Sequence, residues 1–272
     1  MSDVSEDRQN LELAVYAAVR AGARILEVYN QSNVQTEYKA DNSPLTEADT
    51  ASHQILTDIL SGSHLPILSE EGENPENKER LSWDRFWMID PLDGTKEFLK
   101  RNGEFTINVA LISDRHPVTG VVYVPVSGDL YFASNIIGSY KVQLTYTGKN
   151  DLPDLIQMIN LAEKLPFATT RNFTVVASRS HRNEETELFI RQLEKEHRNV
   201  TVVSKGSALK ICIVAEGNAD IYPRFGPTME WDTAAGQCLA INAGCTVTRN
   251  DTGEMMYYNK TDLLNPWFIV KR

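Results

Sequence analysis

The stretch that decides the fold is "MIDPLDGTKEF", residues 88–98. An apolar run ends at Asp90, a proline follows, and a second aspartate, Asp93, stands before Gly94 and a segment with helical character. Proline fixes its own φ and has no N–H, so we expect a sharp bend after Asp90 and not a continued strand. The bend can bring the two carboxylates and the carbonyl of Leu92 towards one point.

The two aspartates do not match the haloacid-dehalogenase-type phosphatase motif D-x-D-G-T, because Pro91 occupies the position of its nucleophilic aspartate. The helix indicated by "TKEFLKR" begins beside Gly94, and unpaired backbone amides at a helix start favour a phosphate. Metal and phosphate chemistry are therefore both indicated within one short stretch. The alternative is a polar turn in which Asp93 caps a helix.

Three more acidic residues are each ordinary when taken alone. Glu70, in "SEEGE", lies in an acidic loop, and such loops are commonly solvated surface. Asp49 completes a capping-box pattern with Thr46, and Asp232 stands where a helix N-cap is expected. Together with Asp90, however, they occupy predicted strand ends and helix starts that meet at a cleft. Converging carboxylates repel one another unless cations lie between them. Oxygen ligands without histidine or cysteine select magnesium over zinc, so we predict a phosphate site with several magnesium ions.

Composition excludes several classes of protein. The chain has 272 residues and a net charge of -10, which argues against a nucleic-acid partner because such proteins normally carry a basic stripe. No apolar run approaches the roughly 20 residues of a membrane span, and the acidic N-terminus does not resemble a secretory signal. We expect a cytoplasmic monomer or homodimer without a stable partner protein. The sequence leaves peripheral attachment to the inner membrane open.

The periodicity of apolar residues divides the chain into two halves. Residues 1–145 are predicted to form an α+β half, with two helices and a mainly antiparallel sheet that carry Glu70 and "DPLDGT". Residues 146–272 alternate strands and helices, as expected of an α/β half, and carry "WDTAAG". A polar stretch with one predicted helix, "LPDLIQMINLAEK", forms the seam.

With these motifs in place, the chain resembles the magnesium-dependent, lithium-sensitive phosphatase superfamily that includes inositol monophosphatase. The superfamily pattern is a Glu-Glu loop, then D-P-[IL]-D-[GS]-T, then W-D-x-x-A-G. It occurs here as Glu70-Glu71, "DPLDGT" and "WDTAAG", in order and over essentially the whole chain. The resemblance implies an αβαβα sandwich of the inositol monophosphatase/fructose-1,6-bisphosphatase type.

The resemblance also assigns roles to individual residues. It implies two to three Mg²⁺ ions, with these ligands: Glu70, Asp90, the Leu92 carbonyl, Asp93 and Asp232. Asp90 would be shared between two ions, and Glu70 would also face a third, weaker ion and its water. Asp49 and Thr95 would orient and deprotonate the attacking water. The phosphate would be bound by the ligand residues Glu70, Leu92, Asp93 and Asp232 together with Gly94 and Thr95.

Within the superfamily, the chain looks most like the bacterial 3'(2'),5'-bisphosphate nucleotidases. The similarity lies in "DPLDGTKEFLKRNGEFTINVALI", "VVASRSH" and "KGSALKICIVAEGNADIYPRFGPTMEWDTAAG". Inositol monophosphatases usually read Asn-Phe after Gly-Thr and lack "YPRFGPT". The implied reaction belongs to sulfur metabolism. A metal-activated water would attack in line and remove the 3'-phosphate of adenosine 3',5'-bisphosphate, giving AMP, or of 3'-phosphoadenylyl sulfate, giving adenylyl sulfate.

A bisphosphate substrate needs cations for the phosphate that is not attacked. Lys210 and Arg224 are the first candidates, with Lys205 and Arg179 as further ones, although each of them taken alone is more commonly an ordinary surface base. Ser207 could bind an anion at a helix start or be a plain N-cap. Two alternative functions stay open: an inositol or sugar-phosphate phosphatase, and a non-catalytic nucleotide sensor.

Overall fold

The computed structural model describes residues 2–31, 36–38, 44–73, 75–144, 146, 152–169, 172–178 and 183–272, with only the backbone for 2–4. Within these ranges the helices are α1 (Ser2–Tyr29), α2 (Glu47–Leu60), α3 (Asn77–Arg80), α4 (Thr95–Leu99), α5 (Leu155–Leu161), α6 (Glu184–Glu196), α7 (Leu209–Glu216) and α8 (Glu230–Asn242). No helix in the described ranges combines the length and the apolar composition that a membrane span requires.

The described strands are β1 (Thr36–Tyr38), β2 (Pro44–Thr46), β3 (Ile67–Ser69), β4 (Arg85–Asp93), β5 (Thr106–Ser113), β6 (His116–Val124), β7 (Asp129–Ser134), β8 (Gly138–Gln143), β9 (Glu163–Lys164), β10 (Phe173–Ser178), β11 (Val200–Lys205), β12 (Ile221–Arg224), β13 (Thr246–Arg249) and β14 (Phe268–Lys271). One sheet runs β3 to β9 in chain order and is antiparallel except for β3 beside β4. The second, in the order β11-β10-β12-β14-β13, is parallel around β10 and antiparallel around β14. Strands β1 and β2 form a separate antiparallel pair.

The elements stack in five layers. Strand β4 is buried on both faces: Trp87 packs against α1 and α2, while Met88 points to the opposite face, towards α7 and α8. Helices α7 and α8 also cover one face of the five-stranded sheet, where Ile211 packs in the same cluster as Val176. Helix α6 covers the outer face of that sheet through Ile190 and its neighbours. The predicted αβαβα sandwich is confirmed.

The boundary between the predicted halves falls largely on residues outside the described ranges, namely 145 and 147–151. Beyond it, α5 confirms the helix predicted at the seam. The short strand β9 then pairs with β8 at the edge of the seven-stranded sheet. The division into residues 1–145 and 146–272 stays a prediction.

The prediction that the strand ends at Asp90 is wrong. Strand β4 continues to Asp93, which pairs with Thr106, and the register with β5 shifts between Asp90 and Asp93. Pro91 lies within this bulge, where a missing backbone N–H removes no ladder hydrogen bond. The Pro91 carbonyl accepts a hydrogen bond of 2.7 Å from the Ser52 hydroxyl. The bulge thus turns the chain inside a strand.

Candidate metal centre and active site

The bulge in β4 positions the first two carboxylates. The Asp90 side chain is buried, and its Oδ1 accepts a hydrogen bond of 3.1 Å from the backbone N–H of Leu92. Gly94 follows with φ +92°, a left-handed conformation, and α4 begins directly after it. A side chain at Gly94 would place its Cβ 2.2 Å from the Ser207 hydroxyl oxygen. Glycine is therefore required both by the backbone turn and by the close neighbour.

Three acidic side chains from distant segments converge. Glu70 follows β3, and its backbone N–H donates to the carbonyl of Ile89 in β4 at 3.2 Å. Asp232 lies in the first turn of α8, where its Oδ2 accepts from the Met229 N–H at 2.9 Å. One oxygen each of Glu70, Asp90 and Asp232 lie within 4.8 Å of one another.

The cluster is electrostatically unfavourable by itself. Burial raises the pKa of Asp90 well above its usual range, and the negative charges of Glu70, Asp93 and Asp232 raise it further. Burial and the charge of Asp93 do the same to the pKa of Asp232. Burial raises the pKa of Asp93 to about 6, although the charge of Lys210 opposes this rise. The folded chain thus holds carboxylates whose charged forms are disfavoured.

The residues of the cluster fit a divalent cation. Asp90 Oδ2 is buried and has no hydrogen-bond partner among the described residues. A buried acceptor without a partner is costly, so its persistence points to a ligand. The converging atoms are all carboxylate oxygens, which hard cations such as Mg²⁺ prefer. Asp93 lies outside the group of three but interacts with it through its charge.

The two carboxylate oxygens of Asp49 accept hydrogen bonds from two different residues. Its Oδ2 accepts from the Thr46 backbone N–H at 2.7 Å and from the Thr46 hydroxyl at 2.5 Å, which completes the predicted capping box at the start of α2. Its Oδ1 accepts from the Thr95 hydroxyl at 3.1 Å. Burial raises the pKa of Asp49, although the hydrogen bonds from both threonines oppose this effect. The capping interpretation and the predicted Asp49–Thr95 pair are compatible.

A cavity of about 250 Å³ connects the acidic cluster to two cations. Its lining includes Asp93 and Asp232 together with Lys210 and Arg224. Lys210 and Arg224 are only 7% and 8% exposed, so the alternative that they are ordinary surface bases is wrong. Burial lowers the pKa of Lys210 to about 8, while the charge of Asp93 opposes this shift. Arg224 Nη2 donates to the Pro227 carbonyl at 2.7 Å, but its buried Nε has no partner in the described part of the chain.

The remaining candidates for the second phosphate differ in position. Ala208, and not Ser207, is the N-cap of α7, so the plain N-cap alternative for Ser207 is wrong. The Ser207 hydroxyl donates instead towards the backbone carbonyls of Asp93 and Glu104. Lys205 Nζ lies 3.2 Å from a carboxylate oxygen of Glu104. Arg179 is outside the described residues.

Magnesium should stabilise the protein more at alkaline than at acidic pH. Because the folded pKa of Asp93 is about 6 against an ordinary 3.8, the metal-free folded state binds more protons and loses stability as the pH rises through that window. Protonated carboxylates also bind Mg²⁺ poorly. We therefore expect Mg²⁺ to raise the Tm of EDTA-treated protein by several degrees at about pH 8 and much less at about pH 5. Equal shifts in circular-dichroism melts at both pH values would contradict a carboxylate site.

Comparison with known proteins agrees with this geometry. The model of the Inositol monophosphatase family matches residues 6–268. The 3'(2'),5'-bisphosphate nucleotidase CysQ of Salmonella typhimurium is 40% identical over 263 residues, which are 96% of this chain and 98% of that protein. CysQ of Haemophilus influenzae is 31% identical, over 96% of this chain and 91% of its own length.

Solved structures give the same result. The crystal structure of CysQ from Bacteroides thetaiotaomicron, a bacterial member of the inositol monophosphatase family, has a TM-score of 0.90 and 50% identity, covering 97% of each chain. The Thermotoga maritima IMPase has a TM-score of 0.70 at 21% identity, covering 97% of this chain and 92% of that one, and shows a shared fold. The predicted resemblance is confirmed, and the chain belongs to the inositol monophosphatase family.

Proposed function

We propose that this chain hydrolyses the 3'-phosphate of adenosine 3',5'-bisphosphate to give AMP and phosphate, and acts likewise on 3'-phosphoadenylyl sulfate. The observation that carries the proposal is one cavity lined both by the acidic residues Glu70, Asp93 and Asp232 and by the buried cations Lys210 and Arg224. Such a cavity offers places for a metal-bound phosphate and for a second one. The nucleotidase relatives, which match almost the full length of the chain, support it.

The proposed cofactor is Mg²⁺, with two to three ions per site, the number that the family resemblance implies. The proposed ligands are Glu70, Asp90, the Leu92 carbonyl, Asp93 and Asp232. When bound, the ions supply acidity to a coordinated water and neutralise charge on the phosphoryl and leaving oxygens. The convergence of carboxylates and the unpaired Asp90 Oδ2 support this assignment.

The residues around the cluster then act on the attacking water. Asp49 accepts the hydroxyl proton of Thr95, which leaves the Thr95 oxygen free to accept a proton from water and to orient it. Glu70 completes the proposed catalytic set, because the family resemblance places it beside a third, weaker ion and its water. The backbone amides of Gly94 and Thr95 are proposed to hold the phosphate in line. The water oxygen bonds to phosphorus as the bond to the 3'-oxygen breaks, and the leaving 3'-oxygen takes up a proton from solvent water.

Substrate comparison tests the proposal. Initial rates with adenosine 3',5'-bisphosphate and inositol 1-phosphate should be measured side by side, with Mg²⁺, with EDTA, and with added lithium. We expect a preference for the bisphosphate, dependence on Mg²⁺ and inhibition by lithium. A preference for inositol 1-phosphate would favour an inositol or sugar-phosphate phosphatase. Hydrolysis of neither would favour a nucleotide sensor.

Arg224 should matter for substrates with two phosphates. Arg224→Met keeps most of the buried volume but removes the unpaired guanidinium N–H. A charged hydrogen bond contributes up to about 3 kcal/mol, so kcat/KM for adenosine 3',5'-bisphosphate should fall by about 100-fold. The value for inositol 1-phosphate should change by less than about threefold. Arg191→Met, on the exposed side of α6, is the matched control. Equal losses for both substrates would remove Arg224 from the second phosphate site.

The oligomeric state and the cellular location remain predictions: a cytoplasmic monomer or homodimer. Light scattering of the purified protein, with and without Mg²⁺, measures the oligomeric state directly.

A further inference from the structure

Two segments that belong to the stretches similar to the bisphosphate nucleotidases contact each other. They are "TKEFLKRNGEFT", residues 95–106, and "KGSALK", residues 205–210. The contact centres on Glu104, whose Oε2 accepts from the Gly206 backbone N–H at 2.9 Å and whose Oε1 lies 3.2 Å from Lys205 Nζ. The Glu104 side chain is only 14% exposed. Hydrogen bonds to an ionised acceptor are about twice as strong as neutral ones, so this contact fixes the second segment firmly.

The same segment connects the acidic cluster to a cation. The Ser207 hydroxyl lies between two carbonyl oxygens, 2.9 Å from that of Asp93 and 2.8 Å from that of Glu104. The Ser207 carbonyl in turn accepts from Lys210 Nζ at 2.6 Å. The position of the Lys210 ammonium group relative to Asp93 therefore depends on where residues 205–207 are held.

The fit between the segments leaves little space. A Cβ added at Gly206 would lie 2.9 Å from Glu97 Cγ and 3.0 Å from the Glu104 carbonyl oxygen. Ser207 itself has φ +49°, a conformation that non-glycine residues rarely adopt without support. The strained backbone at Ser207 is thus held between fixed neighbours, and a displacement there would reach Lys210.

We propose that Glu104 is a specificity-determining positioning residue, which holds residues 205–207 and thereby sets the spacing between the phosphate-hydrolysing cluster and Lys210. This inference rests on the proposed function, because the spacing matters only for a substrate with two phosphates. Glu104 itself contacts neither phosphate. A misplacement of about 1 Å in a positioning group can cost about 100-fold in rate.

The quantity that tests this role is the ratio of kcat/KM for adenosine 3',5'-bisphosphate to kcat/KM for inositol 1-phosphate. Glu104→Ala should lower the ratio at least about tenfold, mainly through a higher KM for the bisphosphate. Glu104→Gln should lower it only about threefold, because the amide oxygen can still accept from Gly206. Glu194→Ala, on the exposed side of α6, controls for the loss of one negative charge.

The outcomes separate this inference from the proposed function. A wild-type ratio below one would overturn the proposed function whatever Glu104 does. A high wild-type ratio that Glu104→Ala leaves unchanged, or equal losses for both substrates, would reduce Glu104 to a structural role. If Glu104→Ala does not fold, Glu104→Asp decides: it keeps the charge and withdraws the carboxylate by one methylene. The ratio should then still fall at least about threefold, and an unchanged ratio overturns the inference.

Discussion

Asp93→Asn is expected to lower kcat for adenosine 3',5'-bisphosphate at saturating Mg²⁺ by at least about 1000-fold. The substitution replaces a proposed metal ligand by a neutral group of the same shape. The charge that would hold an ion in place during phosphoryl transfer is thereby lost. Steady-state kinetics with a range of Mg²⁺ concentrations measure the effect. Near-normal turnover would remove Asp93 from the metal site.

The metal-free Asp93→Asn variant should not lose stability, although its kcat falls. Asp93 is a carboxylate whose charge is disfavoured by burial, so a neutral amide relieves a cost in the metal-free protein. The Asn108 amide, 3.4 Å from Asp93 Oδ2, can still donate to the asparagine oxygen. We expect the Tm in EDTA at about pH 8 to be unchanged or higher, and the rise on adding Mg²⁺ to be smaller. A lower Tm in EDTA would mean that the lost activity reflects misfolding.

An exposed aspartate provides the control for this comparison. Asp58 accepts a hydrogen bond from the Gln54 side chain on the surface of α2. Asp58→Asn makes the same chemical change while it keeps an acceptor at that position. Its kcat and its Mg²⁺-dependent Tm shift should stay within about twofold of wild type.

Features that depend on neighbouring residues could be predicted from the sequence. The capping box between Thr46 and Asp49 forms because both partners lie in one helical turn. Asp90 lies at the end of the apolar run, although β4 continues past it to Asp93. Asp232 lies in the first turn of α8 as predicted, but Met229, and not Asp232, is the N-cap. The layered fold follows from where helical and strand periodicities alternate.

Features that depend on contacts between distant segments could not be predicted from the sequence. Glu104 and Lys205 are 101 residues apart, and neither has a local signature that indicates the pair. Strand β8, "GSYKVQ", is half polar because it lies near the sheet edge, and no strand was predicted there. The burial of Lys210 and Arg224 cannot be predicted from the sequence for the same reason. A base in a short apolar segment is usually exposed. Only the packing of α7 and β12 at the cavity shows that these two side chains are buried.

Asp49→Asn should lower kcat by about 100-fold to 1000-fold, the range expected when a general base is lost, while the fold survives. Both donors of Thr46 point at one side-chain oxygen of Asp49, so the asparagine is expected to direct its single oxygen there and its NH₂ group at Thr95. The hydrogen bond to Thr95 is then inverted. Thr95 must accept from residue 49 and cannot pass its own proton there, so it can no longer take up a proton from water.

The stability cost of the same change should be modest, because the asparagine oxygen still caps α2. We expect a loss of about 1 kcal/mol, measured by urea denaturation. Thr46→Val makes the reciprocal comparison: it removes the N-cap hydroxyl, which donates to Asp49 and accepts from the Ala48 N–H, and leaves the Asp49–Thr95 hydrogen bond in place. It should lose similar stability but retain kcat within about fivefold. If the two variants lost activity equally, Asp49 would act through the position of α2 and not through Thr95.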